Sequence, residues 1–497
     1  MPLEVAIDIN AIITDDPAGP RLGATFQYAS EIVSEAQARE LADDWVAVLT
    51  AIADHLSDPT AGGLTPSDVP LVQVTQPELD QWQRTYPGLA DVLPLSPLQE
   101  GLLFHMQLTD GAPDTYTTRF ALELSGEVDT TRLRTAADAV LRRHASLRSA
   151  FVAAADGTPV QLVVDGVQAT WEIAENVADE QIGQLLDIEQ AKRFDPALAP
   201  MVRFTFYRTV SGRQLLALTT HHILFDGWSS PLLIKDLLIL YATFGDGSVL
   251  PRVRPYRTYL EWLARQDKQA SRNVWQEALA GAEPALLTAV LPRPVDSAPE
   301  SVTHTIELTR EQTTVVTDLA AAAGVTVNTV VQTVWGLMLA AVLDRTDIVF
   351  GAVVSGRPPQ LDGVEDIVGL FVNTIPVRVR IDPSETVREL LIRVQREQAA
   401  LLEHHYLGLG DIQAAAEGGE LFDTLLTFES YPIDADGLRD AGGALDGMSV
   451  LGVEAVTDSH YPVSVVIELE TELRLMFWHR LDAVDADTGR MFAQRLH

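Results

Sequence analysis

The sequence predicts an α/β protein built as two similar lobes, and three observations carry that expectation. Strand-like and helix-like segments alternate through residues 115–241, and the same alternation recurs through residues 302–381. The 497 residues exceed what one hydrophobic core usually serves. Hydrophobic residues at 47% against 21% charged ones describe an ordinary globular chain.

Residues 1–58 form a segment of their own. Leu3 to Ile13 alternates apolar and polar residues, Asp15 to Pro20 makes a turn, and Leu22 to Tyr28 is the second strand of a hairpin. Ser34 and Gln37 are spaced as a capping box, and Leu41, Trp45, Val48, Ile52 and Leu56 fall on one face of the helix that follows. Two strands and a helix cannot close a core alone. The same order recurs at the C-terminus in Tyr461–Glu470, Leu473–Leu481 and Ala486–Leu496. This echo makes residues 1–58 the expected tail of a preceding homologous domain; the plainer alternative is a hairpin and helix decorating the main fold. Residues 59–90 carry Pro59, Gly62, Gly63, Pro66, Pro70, Pro77 and Pro87, a linker composition.

The main body starts at Asp91. A first lobe, 91–265, holds strands Thr115–Leu124, Val160–Val164, Val202–Thr209 and Leu215–Thr220 and a helix over Asp129–His144. A further helix, to Tyr241, opens with Ser230 as N-cap and Pro231 in its first position. A second lobe, 266–497, holds strands Val302–Leu308, Ile348–Val354 and Val372–Ile381 and helices over 310–323 and 327–343. The longest apolar stretch, Thr329–Leu343, is too short for a membrane span and reads as a buried helix.

Acidic residues outnumber basic ones 70 to 35, a net charge of −35, which disfavours nucleic acid as a partner and implies a solvated acidic surface. Met1-Pro2-Leu3-Glu4 lacks the basic start of a signal peptide, and the absence of cysteine fits the cytoplasm. The eleven histidines lack paired ligand spacing, so no metal is expected.

Chemistry concentrates at His221-His222-Ile223-Leu224-Phe225-Asp226-Gly227, where a strand ends and a loop begins. Histidine can give or take a proton near neutral pH. Asp226 could orient the ring, bind a cation or pin the loop. This motif, followed by Trp228-Ser229, resembles the signature of nonribosomal peptide synthetase condensation domains. Four further segments are similar to that family's motifs in their order: Pro94–His105, Arg143–Phe151, Tyr256–Leu263, and Ser355–Pro358 with Val368–Arg378.

The resemblance implies two chloramphenicol acetyltransferase-like lobes in a V-shaped pseudo-dimer with a central tunnel. Residues 355–371 would form its floor, and a crossover around 432–460 would latch the lobes. It implies amide formation between a donor peptidyl or aminoacyl thioester and an acceptor aminoacyl thioester, both tethered to carrier proteins. His222 is then the catalytic histidine, as general base, hydrogen-bond acceptor that aims the amine, or stabiliser of the tetrahedral intermediate. Gly227 permits close approach of the reacting carbonyl and offers its N–H to the oxyanion. His221 supports the site, and Asp226 anchors the loop, with Arg357 as the expected partner. Arg143, Arg148, Tyr259, Phe225, Trp228 and Asn373 match motif positions but are expected to be structural. The wording of Ser96–His105, together with the apparent tail, suggests a donor with a D-configured terminal residue. No Gly-Gly-x-Ser attachment site occurs: Ala61–Thr65 and Ala441–Ala444 lack the serine. The chain is thus expected to bind no cofactor of its own and to act, as the monomeric part of a larger synthetase of antibiotic or siderophore type, on substrates carried by phosphopantetheine arms of upstream and downstream peptidyl carrier domains. The alternatives are a catalytically silent recruitment module of the same fold and a free-standing acyltransferase using coenzyme A thioesters.

Overall fold

A computed structural model describes residues 5–16, 19–57, 62–108, 114–292, 300–416, 419–429, 445 and 447–496. The chain separates into two units, Met1–Thr65 and Pro66–His497.

In the first unit, β1 (Ile7–Asp16) pairs antiparallel with β2 (Gly19–Tyr28), from Ile7 opposite Tyr28 to Asp16 opposite Gly19. A helix follows over Glu35–Leu56. The capping box forms as its spacing implies: Gln37 N–H donates to Ser34 Oγ at 3.3 Å and Ser34 N–H to Gln37 Oε1 at 3.0 Å. Phe26 meets Trp45 edge-on at 6.0 Å. Of this helix only Ala38 is buried, whereas Ile12, Ile32 and Leu56 are 63%, 71% and 69% exposed. Within this unit the hairpin leaves the helix's apolar stripe, Leu41, Val48, Ile52 and Leu56, largely uncovered.

The second unit holds β3 (Leu89–Pro94), β4 (Thr117–Ser125), β5 (Ser149–Ala153), β6 (Pro159–Val164), β7 (Thr170–Val177), β8 (Val202–Thr209), β9 (Gln214–His221) and β10 (Ser301–Glu307). It continues with β11 (Asp347–Val354), β12 (Asn373–Arg380), β13 (Thr424–Glu429), β14 (Ser449–Val456), β15 (Val463–Leu469) and β16 (Leu473–Arg480). The first lobe is built on the five-stranded sheet β14-β4-β9-β8-β7 and the small sheet β3-β6-β5; the second on the six-stranded sheet β10-β16-β15-β13-β11-β12. β9 is buried along almost its whole length because both its faces are covered, and its first half, Leu215–Leu218, is apolar accordingly. Leu216 and Leu218 join a core with Val140 and Leu237 from helices Thr130–Arg143 and Ser229–Ala242, and Leu215 and Ala217 pack with Leu186 of helix Ile182–Ala191. In the second lobe Trp335 of helix Val327–Leu343 is sealed against Phe477 of β16.

The interval expected as a linker is largely folded. Residues from Pro66 belong to the second unit, and helix Gln76–Thr85 buries Leu79 and Trp82. Pro77 sits in its first turn, where proline starts a helix rather than breaking one. Thr75 N–H donates to Glu78 at 2.8 Å, completing a cap that proline-rich composition conceals.

The crossover reaches the other lobe as a strand: β14 pairs antiparallel with β4, from Ser449 opposite Ser125 to Val456 opposite Arg119. Residues 432–444 and 446 of that crossover lie outside the described residues. Among the described residues no single helix is long and apolar enough to cross a membrane.

Candidate functional site

β9 ends at His221, so that ring closes a strand while His222 opens the following turn. The two side chains consequently meet different surroundings. His221 is fully buried; its Nε2 lies 3.2 Å from Asp114 Oδ2, and its Nδ1 accepts from Ile223 N–H at 3.0 Å. These contacts select the neutral tautomer protonated on Nε2. Burial holds this imidazole below its ordinary pKa against the upward pull of Asp114. Burial pushes the Asp114 carboxyl up, but the hydrogen bonds from His221 and Tyr116 N–H, with the charge of Arg193, leave it below the usual carboxylate range.

His222 is only partly buried. Its Nδ1 lies 2.8 Å from the Phe225 carbonyl oxygen, which can only accept, so Nδ1 carries a proton and the neutral form of the ring has its lone pair on Nε2. Its backbone N–H donates to the Tyr116 carbonyl at 2.9 Å. Gly227 is also partly exposed, and among the described residues no group accepts from its N–H. The site thus offers a fixed acceptor on His222 and a free backbone donor five residues on.

Asp226 holds the loop in place. Its Oδ1 takes Arg357 Nη2 at 3.0 Å, Ser229 N–H at 3.0 Å and Ser229 Oγ at 2.8 Å; its Oδ2 takes Phe371 N–H at 3.0 Å. Asp226 N–H donates in turn to Gly369 O at 3.1 Å. The carboxylate and guanidinium are sealed from solvent, so four hydrogen bonds offset the cost of burying the charge. Of the three roles open to Asp226 from sequence, this is pinning the loop to residues 355–371. The helix expected from Ser230 begins at Ser229, because the Asp226 carboxylate on Ser229 N–H does the capping and Ser230 lies inside the first turn.

The remaining motif residues make framework contacts. Arg143 and His144 share Asp236 at 2.7 and 2.9 Å, and Arg148 donates to Leu141 O and Val164 O and pairs with Asp165. Asn373 donates to the carbonyls of His405 and Leu407 at 2.8 and 2.7 Å. Tyr259 and Phe371 pack at 4.6 Å, and buried Phe225 stacks on Phe120. Trp228 donates to Glu365 O at 3.0 Å, a second tie to the floor segment.

Three contributors escaped the sequence. Gln99 donates to Ile223 O at 3.0 Å, so the first motif props the histidine turn from below. Asp114 fixes His221, and Tyr116 holds the His222 backbone. Only Gln99 lay within a motif that could have signalled it. An open depression of about 590 Å³ lined by Arg380, Asp382, Ser384, Glu385, Glu389 and Arg393 sits at the opposite end of β12 from Asn373 and is separate from this site. Among the described residues no group of three or more His, Cys, Asp or Glu side chains could hold a metal ion.

The family model for the condensation domain matches residues 89–497. The chain is 33% identical over 475 residues to a linear gramicidin synthase polypeptide of Brevibacillus parabrevis, covering 93% of this chain and 6% of that protein. To vanchrobactin synthetase of Vibrio anguillarum it is 30% identical over 491 residues, covering 96% and 17%. It is similar in fold to the first condensation domain of the calcium-dependent antibiotic synthetase in complex with a substrate analogue, at a TM-score of 0.65, 20% identity, 81% of this chain and 95% of that one. A four-domain nonribosomal peptide synthetase bound to AMP and glycine gives 0.68 at 18% identity, over 82% and 32%. The chain thus spans a small part of the curated relatives it matches, from 6% to 19% of their length. With the motifs, the two-lobed fold and the histidine turn in agreement, the chain belongs to the condensation-domain family of nonribosomal peptide synthetases.

Proposed function

We propose that the protein joins a donor peptidyl or aminoacyl thioester to the amine of an acceptor aminoacyl thioester, each delivered on the phosphopantetheine arm of a carrier domain. The observation that carries this reading is the orientation of His222: Nδ1–H is tied to Phe225 O at 2.8 Å, leaving Nε2 as the acceptor on a partly exposed ring. Nε2 accepts a hydrogen bond from the acceptor amine and thereby aims the amine's own lone pair at the donor carbonyl. As the tetrahedral intermediate forms, Gly227 N–H donates to the developing oxyanion. Collapse breaks the donor's C–S bond, the proton lost by the amine leaves on the departing sulfur as the donor carrier's thiol, and the new amide stays on the acceptor arm. Holding both arms in one tunnel between the lobes removes most of the translational cost, so positioning carries more of the rate than proton abstraction.

The chain carries no cofactor; its substrates arrive on separate upstream and downstream carriers, and it works as a monomeric part of a larger cytoplasmic synthetase. A D-configured residue at the donor's reacting end is the preferred substrate, a reading supported by the wording of Ser96–His105. Residues 1–58 are the closing hairpin and helix of a preceding domain. Their uncovered apolar face and the alignment of curated relatives over 93% of the chain, beyond the residues 89–497 of the family model, support this.

The test mixes the protein with donor- and acceptor-loaded carrier domains and follows the elongated thioester by mass spectrometry. Product that depends on His222 is expected, with a D-configured donor favoured over its L-epimer. Product from coenzyme A thioesters alone would favour the free-standing acyltransferase, and no product from any pair the recruitment module.

A further inference from the structure

We infer that Tyr116 and His460 are positioning residues for the amide-forming step, a clasp between the two lobes that holds the His222 backbone where its ring must work. The inference rests on the proposed reaction for its kinetic consequence but on geometry for its existence.

The segment Asp114–Thr117 is the mould for both histidines. Asp114 orients the His221 ring, the Tyr116 carbonyl accepts from His222 N–H at 2.9 Å, and Thr117 stands opposite His221 in the β4–β9 register. The Tyr116 side chain reaches away from that mould and hydrogen-bonds His460 Nδ1, 344 residues along the chain. His460 lies between β14, which belongs to the first lobe's sheet, and β15, which belongs to the second. Its other contacts lead to both lobes. The His105 ring of the first motif packs on it at 4.3 Å, and its carbonyl accepts from Arg480 at the end of β16 at 3.2 Å. A continuous set of contacts therefore runs from Arg480 through His460 and Tyr116 to His222.

Protonation states suit a fixed clasp. Burial, with the nearby charges of His105 and Arg480, pushes His460 down to about 3, so it stays neutral at working pH. Burial, with Tyr461, Asp114 and Asp458, pushes the Tyr116 phenol far up, so it stays protonated and donates. Neither group touches the thioester or the amine; each acts through the backbone of His222.

Tyr116→Phe removes the donor and leaves the carbonyl in place, and His460→Phe keeps the ring packing but removes the acceptor. Each is expected to lower kcat about tenfold or more, since small misplacement of a reacting group is costly. KM for the loaded carriers should stay within about twofold. The double variant should be no slower than either single one, and His460→Asn, which restores an acceptor, should recover most of the rate. Imidazole ¹⁵N spectra give a readout independent of substrates: the His222 resonances should shift in Tyr116→Phe while melting remains close to wild type. Unchanged His222 resonances would overturn the inference even if no donor and acceptor pair has yet given product. Phe variants as fast as wild type, or a double variant slowed by the product of the two single effects, would overturn it too. Failure of the wild type to condense any pair, with the His222 shift present, would count against the proposed reaction and not against the clasp.

Discussion

Replacing Asp226 by alanine should cost the fold more than any other single change at the site. The substitution removes the acceptor for Arg357 at 3.0 Å, for Ser229 N–H and Oγ at 3.0 and 2.8 Å, and for Phe371 N–H at 3.0 Å. The guanidinium keeps its bonds to Val364 O and Ile367 O but loses its counter-charge while buried. Breaking one side of a buried pair costs roughly 3–5 kcal/mol. With an unfolding entropy of about 2.1 cal/mol/K per residue, the roughly 430 residues of Pro66–His497 would lose about 4 °C in Tm if they melt together, and more if the first lobe melts alone. Differential scanning calorimetry of Asp226→Ala measures this directly. Adding Arg357→Met should restore part of the loss, because it removes the stranded charge. An Asp226→Ala protein melting within about 1 °C of wild type would refute the anchoring role.

Other outcomes follow from the same geometry. His222→Ala deletes one side-chain hydrogen bond, so stability should change by only about 1 kcal/mol while condensation falls at least 100-fold or so, read by mass spectrometry of the loaded carriers. Gly356 sits at φ +61° with Phe371 O where a Cβ would stand, so Gly356→Ala should lower both Tm and activity by displacing Arg357. His405 is held at about 4, first by burial and then by the charge of His404, and its Nε2 has no partner among the described residues. Its folded value lies below the ordinary one, so the unfolded chain binds the proton first. Stability should then be full above about pH 6.5 and fall as pH drops toward 4. Urea unfolding at several pH values should show this, with a shallower slope for His405→Gln.

Helices and buried strands were legible where pattern and boundary agree. Helices Arg310–Ala323 and Val327–Leu343 fall on the residues their apolar spacing marks, bounded by the caps Thr309 and Thr326. β14 was not legible as a strand: it is an edge strand with Val450 its only fully buried residue, so it lacks the alternation that burial imposes. Helix Gln76–Thr85 hid among prolines for the opposite reason, its two buried residues being too few to set a period. At the site, the place of His222 just past a strand end and the pairing of Asp226 with Arg357 could be read because these residues sit within motifs. Asp114, 107 residues from His221, and Tyr116, 344 from His460, could not, since a lone side chain carries no sign of a partner brought near only by the sheets.

The strand exchange of β14 has a consequence for anyone recombining such proteins. The edge of the first lobe's sheet is encoded some 180 residues after residue 265, so a cut there would separate β4 from its neighbour and expose the backbone groups that β14 satisfies. Hybrids that trade one half for a homologue's should carry residues 449–456 with the first half, or build in a matching partner for β4.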